Sequence, residues 1–140
     1  FGRMLVPSWS ADFDKFLRVA ASALARADGL DGLTEVLAGD PAEGERLFHT
    51  FQPAAGMACM TCHRTDSDDR LVGPGLKTVA IRAQTRVAGL SASQYLHTSI
   101  VNPSAYIVDG FPDLMPKNWG KVFTDAQVND LVAYLISLSS

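Results

Sequence analysis

Cys59-Met60-Thr61-Cys62-His63 is where side chains capable of chemistry crowd together at a fixed spacing in this 140-residue sequence. Two thiols three residues apart share one helical turn, a separation that suits addition to the two vinyl groups of a haem as thioethers. The next residue, His63, is then delivered under the iron as an axial ligand. The sequence has two cysteines and both are spent here, which does not fit a disulfide framework spread along a secreted chain. Three rival readings are weaker. Structural zinc needs four ligands, and outside the motif only His49 and His97 remain to complete a Cys/His set. A thioredoxin-like dithiol wants a preceding strand and a βαβ pattern, neither of which is visible. Chance occurrence on a structural helix leaves the downstream features unexplained.

The first of those features is a donor for the sixth iron position. Met115, in Leu114-Met115-Pro116, lies 52 residues beyond His63 in a stretch without clear period. A thioether keeps a low-spin iron six-coordinate and raises its potential relative to a second imidazole. Met60 sits inside the motif and Met57 just before it, too near to reach the opposite face of the cofactor, and Met4 is far upstream. His97 is the runner-up ligand, while His49 lies on a helix expected to pack. An open sixth position would instead point to a haem enzyme or a ligand-binding sensor.

The composition excludes several other classes. With 47% hydrophobic and 19% charged residues the chain is ordinary for a soluble globular domain. A net charge of −3 argues against nucleic acid as a partner. No apolar run approaches the ~18 residues of a membrane span. The sequence opens at Phe1 without an initiator Met. A processed form of something longer is therefore expected, with room upstream for a signal sequence, a lipid anchor or a membrane helix.

The elements that must position the motif are helices. A first helix is predicted over residues 10–28, with Phe13, Phe16, Leu17, Ala20, Leu24 and Ala27 on one face. Glycines then interrupt the pattern, with room for a short turn over 33–37. Asp40-Pro41-Ala42-Glu43 opens a second helix: Asp as N-cap, Pro at the first position, Glu43 reaching back to the cap amide. It should carry Gly44, Leu47, Phe48 and Phe51 and stop near Pro53. Beyond the motif come a polar loop over 64–70, a tight turn at Gly73-Pro74-Gly75 and a short helix over 76–84. Ser91-Ala92-Ser93-Gln94 is a capping box for a helix that ends by Asn102-Pro103. Thr124-Asp125-Ala126-Gln127 opens the last one, with Val128, Leu131, Val132, Leu135 and Leu138 as its buried stripe. Phe48, Leu76, Val79, Tyr95, Ile100, Leu114 and Leu131 are candidate pocket residues, although most would serve equally as plain core.

From residue 40 to 140 the sequence resembles a class I, mono-haem cytochrome c domain. Gly44-Glu45-Arg46-Leu47-Phe48, the CMTCH motif, Gly73-Pro74-Gly75-Leu76, Tyr95-Leu96 with Asn102-Pro103, Leu114-Met115-Pro116 and Leu131-Val132-Ala133-Tyr134-Leu135 occur in the family's order. The resemblance implies an all-α fold of three to five helices around one haem c, covalently attached through Cys59 and Cys62, with His63 and Met115 on the iron. It implies that the first and last helices of that fold cross at nearly a right angle, with Gly44 letting Tyr134 approach. It also assigns the Pro74 carbonyl to the ring NH of the proximal histidine, a contact that fixes ring orientation. The expected activity is one-electron transfer rather than catalysis, through a haem edge near the motif, between a redox donor and an acceptor protein. Charges around that edge are mixed and give no single-sign docking face. Residues 1–39 fall outside the resemblance, either as a helix covering its own domain or as a docking helix for membrane-complex subunits. More loosely, such an extended cytochrome resembles the mono-haem subunits of respiratory or photosynthetic membrane complexes, those of alternative complex III among them. Covalent haem attachment places the expected location in the periplasm or on the outer face of the cytoplasmic membrane, with a free soluble periplasmic carrier as the alternative to a complex subunit.

Overall fold

A computed structural model describes residues 39–138; the helix predicted over 10–28 and the turn over 33–37 lie outside them. The described residues form five helices: α1 Pro41–His49, α2 Val79–Ala83, α3 Ala92–Val101, α4 Trp119–Val122 and α5 Asp125–Ser137. Single 3₁₀ turns occupy Cys59–Thr61 and Pro103–Ala105. The β pairing among the described residues is one bridge between Gln52 and Met57. α5 is the central element, with α1, α2 and α3 all packed on it.

α1 starts as predicted, with an Asp40 carboxylate oxygen accepting from the Ala42 amide at 3.0 Å and Pro41 in the first turn. Glu43 does not close the capping box. The Asp40 amide donates instead to the Asp130 carboxylate on α5 at 2.8 Å, and Glu43 holds the Arg46 guanidinium, with Nε to Oε1 at 2.9 Å. A bond between helices has displaced a local one. α1 also ends at His49, short of the predicted Phe51, which is 60% exposed. Thr50 turns to extended backbone there, its hydroxyl donating to the Arg46 carbonyl.

Two glycines allow the helices to meet. A Cβ on Gly44 would stand 1.9 Å from the Asp130 carbonyl oxygen and 2.7 Å from Cβ of Tyr134. A Cβ on Gly39 would stand 2.2 Å from the Asn129 carbonyl oxygen. Phe48 then reaches the Tyr134 ring edge to face, with centroids 5.6 Å apart, a geometry aromatic quadrupoles favour.

Both remaining capping boxes form. Ser91 Oγ accepts from the Gln94 amide and Gln94 Oε1 from the Ser91 amide, at 3.2 and 3.0 Å. Thr124 and Gln127 repeat this at 3.2 and 2.9 Å. α5 buries more than the predicted stripe: Ala133, Tyr134 and Ile136 join Val128, Leu131, Val132 and Leu135, while Leu138 is partly buried. Contact with several helices makes burial continuous where a helix seated on one surface would bury one stripe. α2 is shorter than predicted because its start is set from outside. Asp68 accepts from the Thr78 amide at 2.9 Å and from its hydroxyl at 2.6 Å. α4 was not predicted; it buries Trp119, which stacks on Phe123 at 5.3 Å between centroids.

Replacing Gly44 by Val should lower the free energy of unfolding by roughly 1–3 kcal/mol or more. Denaturant melts of the two proteins check this, with the wild-type m-value as control.

Candidate functional site

The CMTCH segment is positioned by backbone bonds on both sides. Gln52 donates to the Met57 carbonyl at 3.0 Å, and Gly56, at φ +75°, donates back to the Gln52 carbonyl at 2.8 Å. This small loop hands the chain from α1 to the 3₁₀ turn. The amides of Cys62 and His63 both donate to the Cys59 carbonyl at 3.2 Å, so one turn gathers both thiols and the imidazole. Downstream, Gly73 donates to the Cys62 carbonyl at 2.8 Å and Leu76 to the Arg64 carbonyl at 2.7 Å. The polar loop is thereby folded back over the motif.

Nδ1 of His63 lies 2.9 Å from the Pro74 carbonyl oxygen. A carbonyl only accepts, so Nδ1 carries the proton and, in the neutral ring, Nε2 keeps its lone pair. Burial drives the His63 pKa below its ordinary value, partly opposed by the Pro74 hydrogen bond. The imidazole is therefore held neutral, as a metal ligand must be. Gly73 lies flat against this ring: a Cβ there would stand 2.6 Å from Cε1.

Cys59, Cys62, His63, Pro74 and Met115 all line one cavity of about 300 Å³. So do Phe48, Leu76, Val79, Tyr95, Ile100, Leu114 and Leu131, the whole set expected in a pocket. Leu114, 66% exposed, stands at the rim. Met57 also lines the cavity, from the same segment as the motif, whereas Met60 is 48% exposed and outside the lining. His97 and His49 do not line it; His49 bonds to the Glu45 carbonyl through Nδ1 and packs on Tyr134. Sequence reasoning missed Trp119 and Arg86, which also line the cavity, and placed Arg82, another lining residue, only among the mixed charges around the haem edge. A lone tryptophan in an aperiodic stretch was the available signal, since so large a side chain is mostly buried.

The arrangement favours haem over the rival chemistries. Among the described residues no group of three or more His, Cys, Asp or Glu side chains converges to hold a metal ion. Burial pushes the Cys59 thiol up to about 11, whereas a redox-active dithiol needs a depressed pKa. A haem fits the residues present. The walls are largely apolar, two thiols and a neutral imidazole stand on one turn, and a thioether enters from a separate segment. Arg82 Nη2 donates to the Gly75 carbonyl at 2.7 Å and lies 3.4 Å from Asp68, which leaves Nε buried without a hydrogen-bond partner. A buried donor of that kind fits an acceptor on a bound group, such as a haem carboxylate.

The match to the cytochrome c family model covers residues 41–139, and the chain belongs to that family. Its cofactor is accordingly covalently bound haem c and its role that of an electron carrier; the two cysteines of the sequence, Cys59 and Cys62, stand at the CxxCH spacing. A comparison with curated proteins returns no match.

The double variant Cys59→Ala/Cys62→Ala should release its haem into acidified acetone. Each single variant should retain it through one thioether. Haem staining after denaturing electrophoresis reads both outcomes.

Proposed function

We propose that the chain is a one-electron carrier whose iron is held between His63 and Met115. We place it as a subunit or partner of a respiratory or photosynthetic membrane complex, outside the cytoplasmic membrane. The observation that supports the ligand pair is shared access: His63 and Met115, 52 residues apart, line one cavity. His97, the alternative donor, does not.

Haem supplies exchange of one electron between ferric and ferrous iron. The chain's own residues set the conditions for that exchange. Pro74 orients His63 and raises its donor strength through the second ring nitrogen. Met115 supplies the soft thioether that favours the reduced state relative to imidazole. Leu76, Val79, Ile100, Leu131 and Trp119 exclude water from the cavity walls, and a low-polarity surround further tunes the potential.

Support for the membrane-complex setting comes from the sequence that precedes the matched domain, in which Phe13, Phe16 and Leu24 recur at helical spacing. Among the described residues no helix is long and apolar enough to cross a membrane.

Met115→Ala should lower the midpoint potential by on the order of 100 mV, within the ~0.8 V that axial ligands span, with haem still covalently attached. Potentiometric titration of the purified protein measures it. An unchanged potential and optical spectrum would assign the sixth ligand elsewhere.

A further inference from the structure

The cavity wall that carries Met115 has no regular structure between the turn Pro103–Ala105 and α4. A bare loop of this length would open often, because local opening is governed by the few contacts that tether a segment. Polar side chains tether this one at three places. Arg70 Nη1 donates to the Gly110 carbonyl at 2.8 Å, and its guanidinium lies 4.1 Å over the Phe111 ring. Asn118 Nδ2 donates to the Ala54 carbonyl at 3.3 Å. Between these anchors, the methionine's own backbone is held by a third group of side chains.

That group is Ser104, Asp113 and Lys117. Ser104, on the 3₁₀ turn after α3, donates through Oγ to the Asp113 carboxylate, 2.9 Å from Oδ2. The same carboxylate accepts from Lys117 Nζ at 2.6 Å. Lys117 Nζ also lies 3.0 Å from the Met115 carbonyl oxygen and 3.3 Å from that of Asp113. One ammonium thus meets three acceptors within residues 113–115, and the carboxylate links the group to the end of α3.

We infer that Ser104, Asp113 and Lys117 are positioning residues that clamp the Met115 backbone against the cavity and limit how often the thioether leaves the iron. The inference rests on Met115 being the sixth ligand. The side chains of Lys117 and Asp113 are half-exposed, so the pair contributes little to global stability. Its effect is local, on the opening of one loop.

The test is carbon monoxide binding to the ferrous holoprotein, which requires Met115 to vacate the iron. Asp113→Asn and Lys117→Met should each speed binding roughly two- to fivefold and accelerate amide hydrogen exchange at residues 113–117. Their thermal unfolding midpoints should stay at the wild-type value, and Lys117→Arg should restore slow binding. Variants that bind no faster than wild type, while Met115→Ala does, would overturn the clamp and leave the ligand assignment standing. Rates that rise only in step with a falling unfolding midpoint would also overturn it, because the network would then be merely structural. If Met115→Ala binds carbon monoxide no faster than wild type, the ligand assignment fails and takes the clamp with it.

Discussion

The approach of α1 to α5 at Gly44 is the constraint on which the cavity depends. With no side chain at that position, the α1 backbone can lie against the Asp130 carbonyl and the base of Tyr134. The Asp40 amide, bonded to the Asp130 carboxylate, fixes the angle at which α1 enters. Phe48 from one helix and Leu131 and Leu135 from the other are thereby carried to the same cavity. Nine residues separate the end of α1 from the CMTCH turn, so the placement of the thiols inherits the placement of that helix. Distortion at Gly44 would reach the attachment site through only fifteen residues of chain.

The remaining walls come from segments held by bonds rather than by regular structure. Asp68 grips Thr78 and so starts α2, which brings Val79 and Ala83 to the cavity. The Met115 segment is held at its ends and at its middle by polar contacts. Irregular backbone is a reasonable medium for such a wall. A helix offers one donor per turn on a given face, whereas a tethered loop can bring a thioether and several apolar groups to one side.

Much of this was legible in the sequence where local chemistry decides. The two S/T-x-x-Q boxes formed because their partners lie three residues apart. Asp40-Pro41 started a helix for the same reason, but Glu43 went elsewhere because Asp130, ninety residues away, took the amide. α4 was illegible, since four residues are too few to show a period, and its stability comes from burying Trp119. Gly39 read only as an interruption of a pattern; its close packing on Asn129 is a tertiary fact. The motif itself and the apolar pocket set were readable because residue type and spacing carry their chemistry directly. The arginines that line the cavity were lost among ordinary surface charges.

The acceptor that orients His63 is a peptide carbonyl, not a side chain. An alanine scan across the cavity would therefore pass over it, since Pro74→Ala keeps the oxygen. The positions that govern the imidazole are those that set the backbone path: Gly73, pressed against the ring, and Gly75, where a Cβ would stand 2.4 Å from the Asp68 carbonyl carbon. Sequence drift at position 74 can leave the imidazole untouched, while an added methyl group beside it cannot. Redesign of this centre's electronic character accordingly belongs to main-chain chemistry, for example an ester in place of the amide that follows Pro74 to weaken its carbonyl as an acceptor.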